Sequence, residues 1–238
     1  MNTIPQTLRR SLILNSAMEA FKHRLVSLGL FSTVLRNIPL EGNNEIDIPY
    51  IPLATSASKD FDGTYKFDKG DLESRKITVN KRKYQSLTYT SEEKARQPYF
   101  DPVVLGRLKG EKLAEDVLLD ILSVITQANF GFSALGNLPN LLGFLFSKFN
   151  RLLENGEHLQ GFVVYPSAIM VALAPIRPTE NVMKQLSTYT TYTDPQTGLT
   201  LEYRAWGDAD SDTSKEIIEC NYGFGVGESA ALKRIVSA

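Results

Sequence analysis

The stretch Asp101–Gly131, DPVVLGRLKGEKLAEDVLLDILSVITQANFG, decides the fold class. Asp101 is a good helix N-cap, and Pro102 stands at the first helical position, where a missing N–H costs nothing. Leu105, Leu108, Val117, Ile121, Val124, Ile125 and Ala128 then recur at helical spacing. Lys109, Glu111, Lys112, Glu115, Asp116 and Asp120 supply the polar side; the like-charge pair Glu111–Glu115 is offset by Lys112–Asp116. Gly131 can take the left-handed closing position. The spacing predicts one helix over 102–130, about 43 Å long at 1.5 Å per residue. A compact chain of this length has a radius of gyration of about 18 Å. A rod of that length would cross the whole molecule and favours a flat or elongated body.

Upstream, residues 1–40 read as a helical arm. Ser16 and Glu19 make a capping-box pattern, and Met18, Phe21, Leu25 and Leu28 form an apolar stripe that Gly29 and Pro39 terminate. Arg9, Arg10, Lys22, Arg24 and Arg36 against Glu19 alone leave this arm basic. Such a stripe packs either on its own domain or on a neighbour. Next, Ile46, Ile48, Tyr50 and Ile51, punctuated by Pro49 and Pro52, suggest a short edge strand. Between Ala54 and Lys83, charged residues of both signs are about twice as dense as in the chain at large. Ile77-Thr78-Val79 and Leu87-Thr88-Tyr89 alternate like strand ends around the polar Asn80-Lys81-Arg82-Lys83. Together they read either as a disordered charged loop or as a long two-stranded excursion, which would need a surface to lie on because an isolated hairpin is marginal in water.

Downstream, the sequence predicts a helix over Leu141–Leu153, a buried strand at Phe162–Tyr165 stopped by Pro166, and a short helix over Ser167–Leu173. Thr188–Thr193 is β-prone, 194–198 is a turn, and 199–206 and 215–222 are strands joined by an acidic loop. The whole is α+β.

Composition excludes more than it assigns. With 26 Lys+Arg against 27 Asp+Glu the net charge is −1, so overall basicity drives no nucleic-acid or membrane-surface binding. One cysteine, Cys220, excludes an internal disulfide framework and a cysteine zinc cluster; two isolated histidines, His23 and His158, leave little for a histidine metal site or a triad. No signal peptide is read at the N-terminus. The apolar windows 132–146 and 161–176 are both interrupted and fall short of the ~20 residues of a membrane span. A soluble chain made in a reducing cytoplasm is expected.

Candidate chemistry is thin. Asp208, Asp210, Asp212, Glu216 and Glu219 match ligand positions of a calcium loop, but Thr213 replaces the required Gly and the flanks read as strands. A solvated hairpin turn is the better reading. Gly223-Phe224-Gly225-Val226-Gly227 lacks the Lys-Ser/Thr of a phosphate loop and reads as a closing turn. Ser167 is outside a nucleophile-elbow context. No catalytic, cofactor or metal residue is assigned.

The order of segments resembles the tailed-bacteriophage major capsid protein family, whose fold is shared by encapsulins. Phe31–Val34 to Pro39-Leu40, followed by Ile46–Tyr50, resembles the arm entering the family's extended loop. Lys76–Val79 through Tyr84–Thr90 resembles the returning strand, Pro102–Phe130 the spine helix, and Gly161–Ala168 an axial-domain strand and helix start. Leu199–Trp206, Tyr222-Gly223 and Ala230–Arg234 resemble the closing region.

The resemblance implies a capsid-type α+β fold with an N-terminal arm (1–42), an extended β-hairpin loop (43–97), a peripheral domain with the spine helix (98–131 and 199–238) and an axial domain (132–198). It further implies a non-enzymatic coat protein that self-assembles as pentamers and hexamers into an icosahedral shell around double-stranded DNA, held non-specifically. Portal and scaffolding proteins would be partners and a membrane would not. The location would be the virion, after assembly in the host cytoplasm. Phe21, Leu25, Leu28, Lys66, Arg75, Arg82 and Tyr84 are the candidate inter-subunit contacts. An encapsulin-like compartment and, behind it, a soluble α+β enzyme are the alternatives.

Overall fold

A computed structural model describes residues 6–36, 44–50, 73–90, 92, 101–131, 144–146, 159–208 and 210–236. Helix α1 (Gln6–Leu25) begins well before the expected cap at Ser16. Ser16 is instead mid-helix, its Oγ donating back to the carbonyls of Leu12 (2.7 Å) and Ile13 (3.1 Å). Burial of Ile13 and Leu14 extends the apolar stripe toward the N-terminus, and packing outweighs the local capping signal. A one-turn helix α2 (Leu28–Phe31) leads into strand β1 (Thr33–Arg36).

Strands β2 (Glu45–Tyr50) and β3 (Glu73–Thr78) pair antiparallel as a ribbon, with Ile46 opposite Ile77 and Tyr50 opposite Glu73. Strand β4 (Lys81–Thr90) then leaves the ribbon. The expected pairing of Ile77–Val79 with Leu87–Tyr89 does not form. β4 runs along a strand more than a hundred residues later, and Asn80–Lys83 is its entrance rather than a hairpin tip. The charged tip expected between the ribbon strands lies outside the described residues.

Helix α3 (Pro102–Leu122) starts as expected, with Val103 N–H bonded to the Asp101 carboxylate at 2.8 Å. It stops sooner, at 21 residues or about 32 Å. Ser123 Oγ caps the Asp120 carbonyl at 2.6 Å, Thr126 turns extended, and a separate turn α4 (Gln127–Phe130) follows, closed by Gly131 at φ +67°. The helix is therefore shorter than the rod the spacing predicts. Its buried face also differs from the expected stripe: Leu108 is 55% exposed, whereas Gly106, Gly110, Leu113, Ala114, Val117 and Ile121 face inward. At Gly110 a Cβ would lie 2.2 Å from the Ala17 carbonyl oxygen, and at Gly106 2.3 Å from that of Ile13, so α1 and α3 touch backbone to backbone.

The rest is mainly β: β5 (Phe144–Phe146), β6 (Leu159–Val164), β7 (Ile169–Leu173), a short α5 (Glu180–Gln185), β8 (Thr188–Thr193), β9 (Thr200–Asp208), β10 (Thr213–Val226) and β11 (Leu232–Val236). Residues 144–146 form a strand where a helix over 141–153 was expected; the remainder of that prediction lies outside the described residues. Ile169–Leu173, also expected as helix, is a strand buried on both faces. Ile169, Val171 and Leu173 join the main core, while Met170 and Ala172 join a second one. A continuous apolar run of this kind cannot be told from a buried helix by periodicity. The Gly223–Val226 stretch is strand, not a closing turn.

The large sheet runs β1-β7-β10-β9-β8, with β4 on the other flank of β10. β10 is its centre: Thr213–Tyr222 pair with β4, Thr213–Glu219 with β9, and Tyr222–Val226 with β7. Beside it, β11-β6-β5 make a three-stranded sheet. The main core lies between α1, α3 and one face of the large sheet. The second core seats Ile46, Ile48, Tyr50, Ile77 and Val79 of the ribbon region on the opposite face of β7. Gly223 lets the Thr78–Val79 backbone cross directly over β10; a Cβ there would be 2.1 Å from the Thr78 carbonyl oxygen. No helix among the described residues is long and apolar enough to cross a membrane.

Candidate functional site

Because side chains alternate along a strand, β4 divides its residues between two faces. Tyr89 points inward. Its hydroxyl accepts from Arg9 of α1 (2.9 Å) and donates to Glu216 (2.6 Å), with the Arg9 guanidinium 4.7 Å above its ring. At the entrance of the strand, Lys81 Nζ reaches Asp120 of α3 at 3.1 Å and stacks 4.2 Å over Phe224, while Tyr222 donates to the same carboxylate at 2.7 Å. Burial alone would raise the Asp120 carboxyl, but the hydrogen bonds from Tyr222 and Lys81 outweigh it and hold the group below its ordinary value. The sign follows. A carboxyl lowered in the fold adds stability that is present above the unfolded value of about 3.9 and lost as pH falls through the folded one. Asp120→Asn should therefore flatten the acid limb of a denaturation profile between about pH 5 and pH 2. An unchanged acid limb would show that Asp120 does not carry this dependence.

Arg82, Tyr84, Ser86 and Thr88 point outward and line a groove of about 390 Å³ with Arg204, Trp206, Lys215 and Ile217. Beneath it lies a charged network. Glu202 and Glu219 are each 1% exposed and Arg204 8%. The Arg204 Nη2 pairs with Glu202 Oε2 at 3.4 Å and, more closely, with Glu219. Arg82 Nε lies 3.7 Å from Glu219 Oε2 and donates to Asn221 at 2.8 Å. Glu202 also accepts from Asn221, from the Ile176 N–H (2.9 Å) and from Tyr189 (2.9 Å). Desolvation pushes the Glu219 carboxyl up despite Arg204 and Arg82, and burial with the Glu202 hydrogen bond pushes the Tyr189 hydroxyl up. The network pins β4, β10, β9 and β8 across one face of the sheet. Burial likewise pushes the Cys220 thiol up, making it a poor nucleophile.

Of the seven candidate contacts, Arg82 and Tyr84 come together on this groove, Tyr84 being 59% exposed. Arg75 is exposed on β3, opposite Ile48 of β2. Lys66 lies outside the described residues. Phe21, Leu25 and Leu28 require a correction: they are buried in the chain's own core against α3 and the sheet, so their surface is already spent within the subunit. Glu202, Arg204, Trp206, Lys215 and Glu219 were not singled out as one cluster. Their alternation along β9 and β10 was the available signal, since Glu202, Arg204 and Trp206 must share a face. The calcium-loop reading is also settled by alternation: Glu216 and Glu219 lie on opposite faces of β10 and cannot converge with the Asp208–Asp212 turn.

No protein-family model and no curated protein matches the chain. Solved structures do. The capsid of cyanophage P-SCSP1u aligns with 87% of this chain and 86% of its own, at 9% identity and a TM-score of 0.48. A virus-like particle from Pyrococcus furiosus aligns over 94% and 98%, at 11% identity and 0.47. A structure of Gordonia phage Cozz aligns over 100% and 88%, at 12% identity and 0.44.

Proposed function

We propose that the chain is a major capsid protein, a structural subunit that assembles with copies of itself, as pentamers and hexamers, into an icosahedral shell around double-stranded DNA. One observation carries the reading. The β2–β3 ribbon is seated at its root by Ile46, Ile48, Ile77 and Val79 on β7, and at Tyr50 and Glu73 it hands the chain to residues 51–72, a charged stretch rich in both signs. A two-stranded ribbon is marginal alone, and mixed charge suits many weak contacts with a neighbour rather than a core of its own. Arg75, itself exposed but on the same face of that ribbon as Ile48 and Tyr50, and the Arg82–Tyr84 groove are the contact surfaces of this reading. Near-zero net charge suits assembly, because many copies of strongly like charge would repel one another. Portal and scaffolding proteins are the expected further partners, and the virion is the expected location.

Replacing residues 53–70 by a short Gly-Asn turn tests the reading while leaving the paired residues Tyr50 and Glu73 in place. The expected result is a folded subunit, with wild-type circular dichroism, that forms no closed particles by electron microscopy. A wild-type chain that stays at one to four subunits under all assembly conditions, scaffolding protein included, would overturn the proposal.

A further inference from the structure

Among the described residues the large sheet has unpaired edges, and they are not guarded alike. β1 carries Arg36, and β4 carries Lys81, Arg82 and Lys83, charges of the kind that discourage another strand from adding. β8 reads Thr188-Tyr-Thr-Thr-Tyr-Thr193, with no charge, no proline and no glycine. Among the described residues it pairs only with β9. It is also rich in the residues that favour strands.

The register of β8 on β9 fixes which backbone groups are free. Asp194 N–H donates to the Leu199 carbonyl at 2.9 Å, and the alternation of an antiparallel ladder makes Tyr192 and Thr190 the next residues bonded to β9. The 2.9 Å contact between Thr193 Oγ1 and Thr200 Oγ1 agrees, since side chains come closest at non-hydrogen-bonded pairs. The N–H and C=O groups of Tyr189, Thr191 and Thr193 therefore face away from the sheet.

We infer that β8 is a self-complementary edge that adds, antiparallel, to β8 of a second copy of this chain, joining two large sheets across a two-fold axis. This rests on the self-assembly reading above and names one of its contacts. Two-fold symmetry keeps the same sheet faces on the same side, so the axis must pass through a residue paired with itself. Only Thr191 lies at the centre of the three outward-facing residues. Thr191 then meets Thr191 of the second copy, Tyr189 meets its Thr193, and Thr190 meets its Tyr192. Every tyrosine faces a threonine, an aromatic against a β-branched side chain, and no charge meets its like.

Thr191→Lys puts two ammonium groups opposite each other at the axis, and Thr191→Pro removes an outward N–H that the subunit itself does not use. Both variants should keep the wild-type melting profile and weaken two-fold association at least 10-fold in sedimentation velocity. Thr191→Cys should cross-link to a covalent dimer on mild copper-phenanthroline oxidation, because Cα atoms of such a pair lie about 5.5 Å apart. Thr190→Cys, which faces Tyr192, should not; Cys220 is buried and stays out of the reaction. Unchanged association in both Lys and Pro variants, or cross-linking no greater at 191 than at 190, overturns the inference. The two proposals fail separately. Shells that form normally from Thr191→Lys sink the edge contact and leave the shell reading standing. A wild-type chain that stops at a dimer, together with a Thr191→Cys variant that cross-links, does the opposite.

Discussion

Gly110→Ala lowers the stability of the chain by about 2–3 kcal/mol, although alanine is the better helix former by about 1 kcal/mol. The loss arises from where the new methyl must go. A Cβ at Gly110 would lie 2.2, 2.7 and 2.8 Å from the carbonyl oxygen, Cα and carbonyl carbon of Ala17. All three are backbone atoms of α1, so no rotamer change can make room and the two helices must separate. Separation strips packing from Ile13, Ala17, Phe21, Leu113 and Val117, all buried in that interface. At about 2–4 °C per kcal/mol for a chain of this size, the melting temperature should fall by roughly 4–12 °C. Leu108→Ala, on the exposed side of the same helix, should shift it by only about 0.5 kcal/mol, the usual scale of surface changes. Equal melting temperatures for Gly110→Ala and wild type would show that α1 and α3 do not pack at this distance.

Arg204→Met should cost about 3–5 kcal/mol at neutral pH, the usual consequence of removing one partner from a buried ion pair. Arg204 is the shared cation of Glu202 and Glu219, and Arg82, partly exposed and 3.7 Å away, cannot replace it. Without the guanidinium the Glu219 carboxyl is pushed further up. A carboxyl raised in the fold penalises the folded state fully at pH above its folded value, and the penalty fades as pH falls to the unfolded value of about 4.3. The deficit of the variant should therefore shrink as pH falls from neutral toward that unfolded value. Adding Glu219→Gln to Arg204→Met should recover part of the loss at pH 7 by removing one orphaned charge. A deficit independent of pH in urea titrations would mean that lost packing, not charge, explains the effect.

Signals that are local in the chain were readable from it. The Asp101-Pro102 cap, the 194–198 turn and the β9–β10 hairpin each depend on a few adjacent residues, and each forms as expected. Where long-range packing decides, periodicity misled. The inner face of α3 is built on Gly106, Gly110 and Ala114, which a count of large apolar residues ignores, so Leu108 was placed inside and lies outside. β7 lost its alternation because both of its faces are buried. The partner of β4 is β10, which no pattern within residues 77–89 could disclose. The same distinction runs through the candidate site. Arg82 and Tyr84 were legible as outward residues of a polar alternating strand. Glu202, Arg204 and Glu219 were not, because charged residues in strands ordinarily face water and these three face one another.

The central place of β10 also sets a timetable. Ribosomes deliver β4 roughly 120 residues before the strand that pairs with it, a wait of about 6–25 s at 5–20 residues per second. By the end of that interval β4, β7 and β9 all exist without their common partner, so the nascent chain holds three strands awaiting it and an apolar helix pair with no complete sheet to cover. The large sheet can close only after β10 has left the ribosome. Closing of the sheet thus waits on residues 213–226, and until they emerge those strands are open to meeting strands of another copy.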